Sequence, residues 1–416
     1  MQPIHRTLAR CAVLAPLALP SLAQTTWYVD VSAPPPGNGT AASPYTEILY
    51  AIQQPSTVHG DTLLVAPGIY DNFGTATKAL SIVSTGGPEV TIVDGGINLY
   101  GSYSTAPFFA RLQGFTILVG QFPCGMDLAL LDHCIVRPKV SGGVAFRCGE
   151  AYGGSDSIFR HCTVTGFDLG IDEVSFSTAY VTLHASVFYD NGTDAIGQNG
   201  FVHGLYSYAQ KVSHPFGSSS HPVPGPVPGL WDTAQGDVHL LPLSNCIDAG
   251  DPALPHDPDG SIADVGALIY DAQHVPHLAT YCAGFVHSGG CAPRIVWSGT
   301  PSLSGPDDFV ISSSLSLNNV LGLFLVGTNA GSIPFSAGRI CIAPPFVRGP
   351  VVSSGGSNGG PDCSGLFVWP VSQAYMQQQG WQPGQILYAQ CWGRDPFSVY
   401  PEKSQLSNAL VFKVEP

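Results

Sequence analysis

The sequence predicts an all-β protein, a parallel β-helix (solenoid) followed by a small β-sandwich domain. Three observations carry this. Only 11% of the 416 residues are charged, while glycine (49) and proline (36) are abundant and methionine (3) is nearly absent. Low charge with many turn formers and β-branched residues suits short strands joined by tight turns. Second, three segments of the first half align on one another at offsets in the twenties, the period of a solenoid coil. Third, about seven short apolar runs at regular spacing follow residue 281, as in a sandwich.

Residues 1–23 have the layout of a secretory signal peptide: Arg6 and Arg10, an apolar run over 11–19, then Ser21-Leu22-Ala23. The apolar run is too short to span a bilayer. Export to the cell surface or medium is therefore expected. Losing the leader removes two arginines and takes the formal charge from −14 to −16. Such a charge disfavours nucleic acid and anionic membrane surfaces as partners.

Residues 27–30 read as a strand, 33–43 as a Pro/Gly loop and 45–54 as an amphipathic helix with Ile48, Leu49, Ala51 and Ile52 apolar. Strands are expected over 60–70, 79–83, 90–96, 112–118, 130–136, 158–164 and 181–188. The aligned segments are Asp132-His133-Cys134-Ile135-Val136, Arg160-His161-Cys162-Thr163-Val164 and Leu183-His184-Ala185-Ser186-Val187, at offsets of 28 and 23. Strand alternation puts Cys134, Cys162 and Ala185 inside and stacks His133, His161 and His184 outside, about 4.8 Å apart. A Pro/Gly/Ser/His loop covers 213–230, a linker 272–280 and the second domain 281–416.

The opening pattern, Trp27-Tyr28-Val29-Asp30 to Gly60-Asp61-Thr62, resembles the N-terminal cap of secreted bacterial right-handed parallel β-helix proteins of the pectate-lyase-like superfamily. Gly236-Asp237-Val238-His239-Leu240, Asn245-Cys246-Ile247-Asp248 and Asp257-Pro258-Asp259-Gly260 resemble their closing segment. The resemblance spans residues 27–271 and implies a right-handed solenoid over 24–271, capped by the helix. It implies no one activity, because that superfamily includes lyases, hydrolases and proteins without known catalysis. Residues 281–416 resemble a C-terminal β-domain of large secreted bacterial proteins, from which no chemistry carries over.

Ten cysteines remain after export, five before residue 250 and five after. Two odd sets require an inter-domain bridge or free buried thiols. Cys282 and Cys291, close in sequence, are the first expected disulfide.

Four groups are candidates for function. His133, His161 and His184 could bind a ligand or transition metal; the alternative is a stacking ladder. Five cations, Arg111, Arg137, Lys139, Arg147 and Arg160, fall among Asp132, Asp156, Asp168, Asp172 and Glu173. Lyases on this fold abstract a proton with Arg or Lys while calcium neutralises a uronate, which would cast Arg137, Lys139 and Arg160 as catalytic. Complete lyase and polygalacturonase motifs are absent, and scattered surface charge is the alternative. Asp257, Asp259 and Asp264 around a glycine turn could hold calcium or satisfy backbone donors. Finally, Tyr100, Tyr103, Phe108, Phe109, Tyr152, Phe167, Phe176 and Tyr180 could stack on sugars if exposed. The expected function is carbohydrate binding or a structural role, as a monomer with a polysaccharide as partner. The alternative is a lyase or glycoside hydrolase acting on an acidic polysaccharide.

Overall fold

The computed structural model describes residues 24–416 except 76–77, 103–108, 150–155, 175–179, 198–200, 214–220 and 226. The expected signal peptide lies outside them. Strands dominate, with 45% strand and 3% helix. No helix among the described residues is long and apolar enough to cross a membrane.

Each complete coil of the first domain has three strands, and the coils stack in parallel. The first row is an eight-stranded sheet running from Thr26–Val29 to Phe201–Leu205. The second and third rows share the long strand Thr91–Tyr100, which pairs with Thr116–Val119 through its first half and Cys124–Asp127 through its second. Register columns explain the apolar pattern. Leu63, Ile82, Leu112, Leu131, Phe159 and Leu183 stand in line down the first row and are fully buried. Val93, Ile117, Val136, Val164 and Phe188 do the same in the second. A strand alternates faces, so alternate columns of each row fill the interior: Ala110, Ala129, Ser157 and Val181 form a second buried column of the first row.

The capping helix is Ile48–Gln53, shorter than the expected 45–54. Tyr45 instead bridges Val29 and is buried. Ile48, Ala51 and Ile52 close the first coil, and the Lys78 ammonium donates to the carbonyls of Ile52 and Gln54 at the helix end.

At the corner between the first and second rows, successive coils place Gly114, His133, His161, Ala185 and Tyr206 in left-handed backbone, with φ of 79°, 48°, 46°, 49° and 49°. The histidine row expected from sequence is thereby corrected. His184 pairs in register with Arg160, and Ala185 takes the corner after His161. The second offset is 24 and not 23, because Thr163 aligns with Val187. Simple alternation fails there because the corner residue is a turn, not a strand position.

Cys134, Cys162, Ser186 and Ser207 follow those corners and point inward. The Ser186 and Ser207 hydroxyls donate to carbonyls at 2.9–3.0 Å, and the two thiols do so at 3.2–3.8 Å. Ser186 also accepts the Cys162 N–H at 3.1 Å. The thiols thus act as longer-range serines satisfying backbone carbonyls. Burial pushes the Cys134 thiol up to about 12 and Cys162 well above the usual range.

The hairpin Leu230–Asp232 and Asp237–Leu240 then packs on the outer face of the second row. Leu230, Val238, Leu240, Val265 and Ala267 form a second apolar layer over Ile135 and Val187. The C-terminal domain faces a three-stranded antiparallel sheet (Arg294–Ser298, Val310–Ser316, Gly365–Pro370) against a larger one that contains Leu321–Gly327, Ile386–Arg394 and Ser404–Lys413. Ile295, Ile311 and Trp369 meet Phe324, Leu387 and Phe412 between them.

The disulfides are Cys282–Cys341 and Cys291–Cys363. The expected Cys282–Cys291 bridge is wrong, because each of the two cysteines bridges a partner far along the chain, 59 and 72 residues away. The odd sets are resolved by free buried thiols: Cys124, Cys134, Cys148, Cys162 and Cys246 in the first half, and Cys391 in the second.

Candidate functional site

The cations singled out in the sequence are dispersed. Arg160 ends a first-row strand and grips Asp132 with two hydrogen bonds of 3.1 and 2.6 Å. Arg111 reaches the same carboxylate at 2.8 Å, and His133 Nδ1 lies 2.9 Å from it. Burial works to raise the Asp132 carboxyl, but hydrogen bonds and charge from His133 and Arg160 outweigh it and hold the group far below the usual range. Lys139 pairs with Asp94 at 2.6 Å, and Arg147 lies 3.4 Å from Asp172. Arg137 and Lys139 sit at the end of the second row, so Arg137, Lys139 and Arg160 form no common site.

His133 and His161 stack at 4.7 Å, with 20° between their planes. His161 Nδ1 hydrogen-bonds the Asp264 carbonyl at 3.0 Å, while His184 Nε2 meets Asp251 Oδ2 at 3.0 Å. These contacts fasten the closing segment along the corner. The acidic turn is also engaged with backbone donors. Asp257 accepts from Asp264 N–H, Asp259 from Ser261, and Asp264 from the N–H groups of Asp248 and Tyr270. Of the aromatics, Phe167 is buried, Tyr100 is half-buried, and Phe109 and Tyr180 are exposed; Tyr103, Phe108, Tyr152 and Phe176 lie outside the described residues.

His161 gives the corner a pH dependence. Burial, helped by the His133 charge and Arg160 and opposed by Asp132 and the Asp264 carbonyl, lowers its pKa to about 4. A depressed histidine stabilises the fold above its unfolded value near 6.5, and that contribution falls as pH drops toward 4. Acidification from pH 7 to 4 is expected to remove up to about 3 kcal/mol through this group. His161→Asn, whose side chain tolerates left-handed backbone, should flatten that segment of the stability–pH curve. Urea midpoints for the two proteins at pH 7 and 4.5 measure it; identical pH slopes would refute the assignment.

A different constellation converges in a cleft of about 290 Å³ between the second row, the hairpin and residues 272–280. Asp237 and His239 alternate with the buried Val238 and Leu240, so one strand face presents both to the cleft. His274 comes from the expected linker. Asp237 Oδ1 lies 2.8 Å from His239 Nδ1, and Oδ2 lies 2.8 Å from His274 Nε2. The two imidazoles stack with centroids 3.5 Å apart. Glu89 approaches His239 Nε2 at 3.4 Å. Burial tends to raise Asp237, but the two histidines outweigh it and hold it at about 2. Burial also tends to lower His239, but Asp237 and Glu89 outweigh it and raise it.

Arg137 completes the cleft. It is half-buried and, among the described residues, has no hydrogen-bond or ion-pair partner. Gly236 makes room for it: a Cβ at that position would stand 2.2 Å from Nη1. Its φ of 82° favours glycine independently. Sequence reasoning found Arg137 but missed Asp237, His239 and His274 as a group. The Asp-x-His spacing was a usable signal, since residues two apart share a strand face; nothing local connected His274 to them. A larger hollow of about 590 Å³ beside the capping helix presents Glu47 and Asp71 but no histidine, lysine or arginine.

Compared with protein-family models, curated proteins and solved structures, the chain matches none.

Proposed function

We propose that this is an exported β-helix protein of the pectate-lyase-like kind that binds an acidic carbohydrate in the Arg137 cleft. The observation that carries the reading is the half-buried Arg137 guanidinium, unpaired among the described residues, in a cleft shared with Asp237, His239 and His274, while Arg111, Arg160, Lys139 and Arg147 face carboxylates of the protein itself. A planar guanidinium matches a carboxylate in a bidentate geometry. The surrounding acidic surface disfavours long-range attraction of such a polymer, so affinity rests on this short-range contact.

Arg137→Ala should weaken binding of a uronate oligosaccharide by about 2 kcal/mol, roughly 30-fold. Arg160→Ala, at a residue that does not line the cleft, should leave it unchanged. Calorimetry with uronate and neutral oligosaccharides checks this. Equal affinity for the neutral series, or indifference to Arg137→Ala, would sink the reading.

A second reading, a lyase acting on the same polymer, is favoured by one observation. His239 lies between two carboxylates in the cleft that holds Arg137. That pairs a candidate proton acceptor with a cation able to neutralise a uronate. Ultraviolet absorbance from unsaturated products, lost in His239→Ala, would convert the binding protein into an enzyme.

A further inference from the structure

We propose that Asp237, His239 and His274 bind one divalent transition-metal ion, best zinc, with a remaining coordination position open to the cleft. The inference does not need the carbohydrate reading, and its test uses none.

The first support is convergence. The carboxylate oxygen and the two imidazole nitrogens all lie within 4.8 Å of one another. Among the described residues this is the one group of three or more such side chains that meets that spacing. An ion bonded at about 2.0–2.2 Å holds its ligand atoms roughly 3–4 Å apart. Closing on it requires shifts of under about an ångström, and His274 lies outside any regular strand, where such a shift strains least.

The second support is the set of outer partners. Nδ1 of His239 faces Asp237, while its Nε2 faces Glu89 at 3.4 Å. A carboxylate on the far nitrogen fixes the ring's orientation and tautomer and raises the basicity of the nitrogen that binds metal. Trp231 packs edge-on against His274, with centroids 6.1 Å apart, and walls one side of the site. The strand supplies Asp237 and His239 two residues apart, on one face, over a buried Val238. The pair is therefore held by the core of the hairpin.

Donor chemistry selects the ion. Two imidazoles and one carboxylate suit zinc and its first-row neighbours; calcium prefers a shell of oxygens. Three protein ligands leave zinc's usual fourth position to water or a ligand oxygen. The competing explanation is a hydrogen-bonded clasp, in which Asp237 merely ties residues 272–280 to the hairpin.

The two differ in titration with metal alone. The mature chain, without a histidine tag and stripped with chelator, should bind one equivalent of zinc with a dissociation constant of micromolar or below. It should show no comparable affinity for calcium. His274→Ala and His239→Ala should each weaken zinc binding by 100-fold or more, while His184→Ala should not. Zinc should raise the melting temperature of the wild type and not of His274→Ala. Circular dichroism verifies that the variants fold. Should they not, cobalt bound to the wild type decides: visible bands of nitrogen-ligated cobalt support the site. Absence of saturable zinc binding, or binding indifferent to His274→Ala, would leave only the clasp.

Discussion

Phe159→Ala is expected to destabilise the solenoid by about 3–5 kcal/mol. Phe159 is fully buried in the first row, and its ring packs edge-on against Phe146 and Phe188, with centroids at 4.9 and 5.8 Å. Those rings come from the third and second rows, so one side chain ties all three walls of the coil together. Truncation removes transfer energy and leaves a cavity that paired strands on every side cannot collapse to fill. A solenoid is held by contacts between neighbouring coils, so a weak coil in the middle divides the stack. Denaturant unfolding should show a lower midpoint. Phe122→Ala, at a position 77% exposed, should shift stability by no more than about 0.5 kcal/mol. Similar losses for both would refute the wall-to-wall role of Phe159.

The second large effect is expected at Asp132. Its side chain is 1% exposed beneath Arg111 and Arg160, which are 36% and 30% exposed. Asp132→Ala leaves those guanidiniums and His133 without their shared partner. The loss should be about 3 kcal/mol, the low end for breaking a buried pair, because both arginines can turn toward water. The held-down carboxyl stabilises the fold above its unfolded value near 4, and that contribution is lost as pH falls below it. Wild type and variant should therefore differ by the full amount at pH 7 and converge below pH 4. A gap that persists unchanged into acid would mean that Asp132 acts through packing, not charge. This acid window lies below that of His161, so the two are separable in one titration.

The repeat carries the lesson about legibility. Cys134 and Cys162 are visible as inward positions because apolar and small residues recur two apart along each strand, and the structure places both at the interior corner. The same reading misplaced His184 by one residue. Periodicity of two holds inside a strand, and the left-handed corner at Ala185 breaks it. Variable turns between the third and first rows also change the coil length from one rung to the next, so a fixed offset could not supply the register. Likewise, cysteine count alone left open which thiols pair. Hydrogen bonding of the Cys134 and Cys162 thiols to carbonyls, and the long-range bridges to Cys341 and Cys363, are properties of the assembled fold.

Composition, turn residues and apolar alternation by themselves determined an all-β chain with a stacked first half and a sandwich behind it. Those are consequences of local backbone preference and of the face each residue presents, and neither needs knowledge of distant neighbours. Tertiary structure alone decided which charges meet. Arg160 and Arg111 turn to Asp132, Lys139 turns to Asp94, and Arg137 is left to a cleft built with Asp237, His239 and His274. Side chains 35 or 100 residues apart become neighbours only when the closing segment folds back onto the outer wall of the coils. No local preference encodes that docking. It follows from the apolar surface that Ile135 and Val187 present to the hairpin, and burying that surface brings the polar rim of the cleft together.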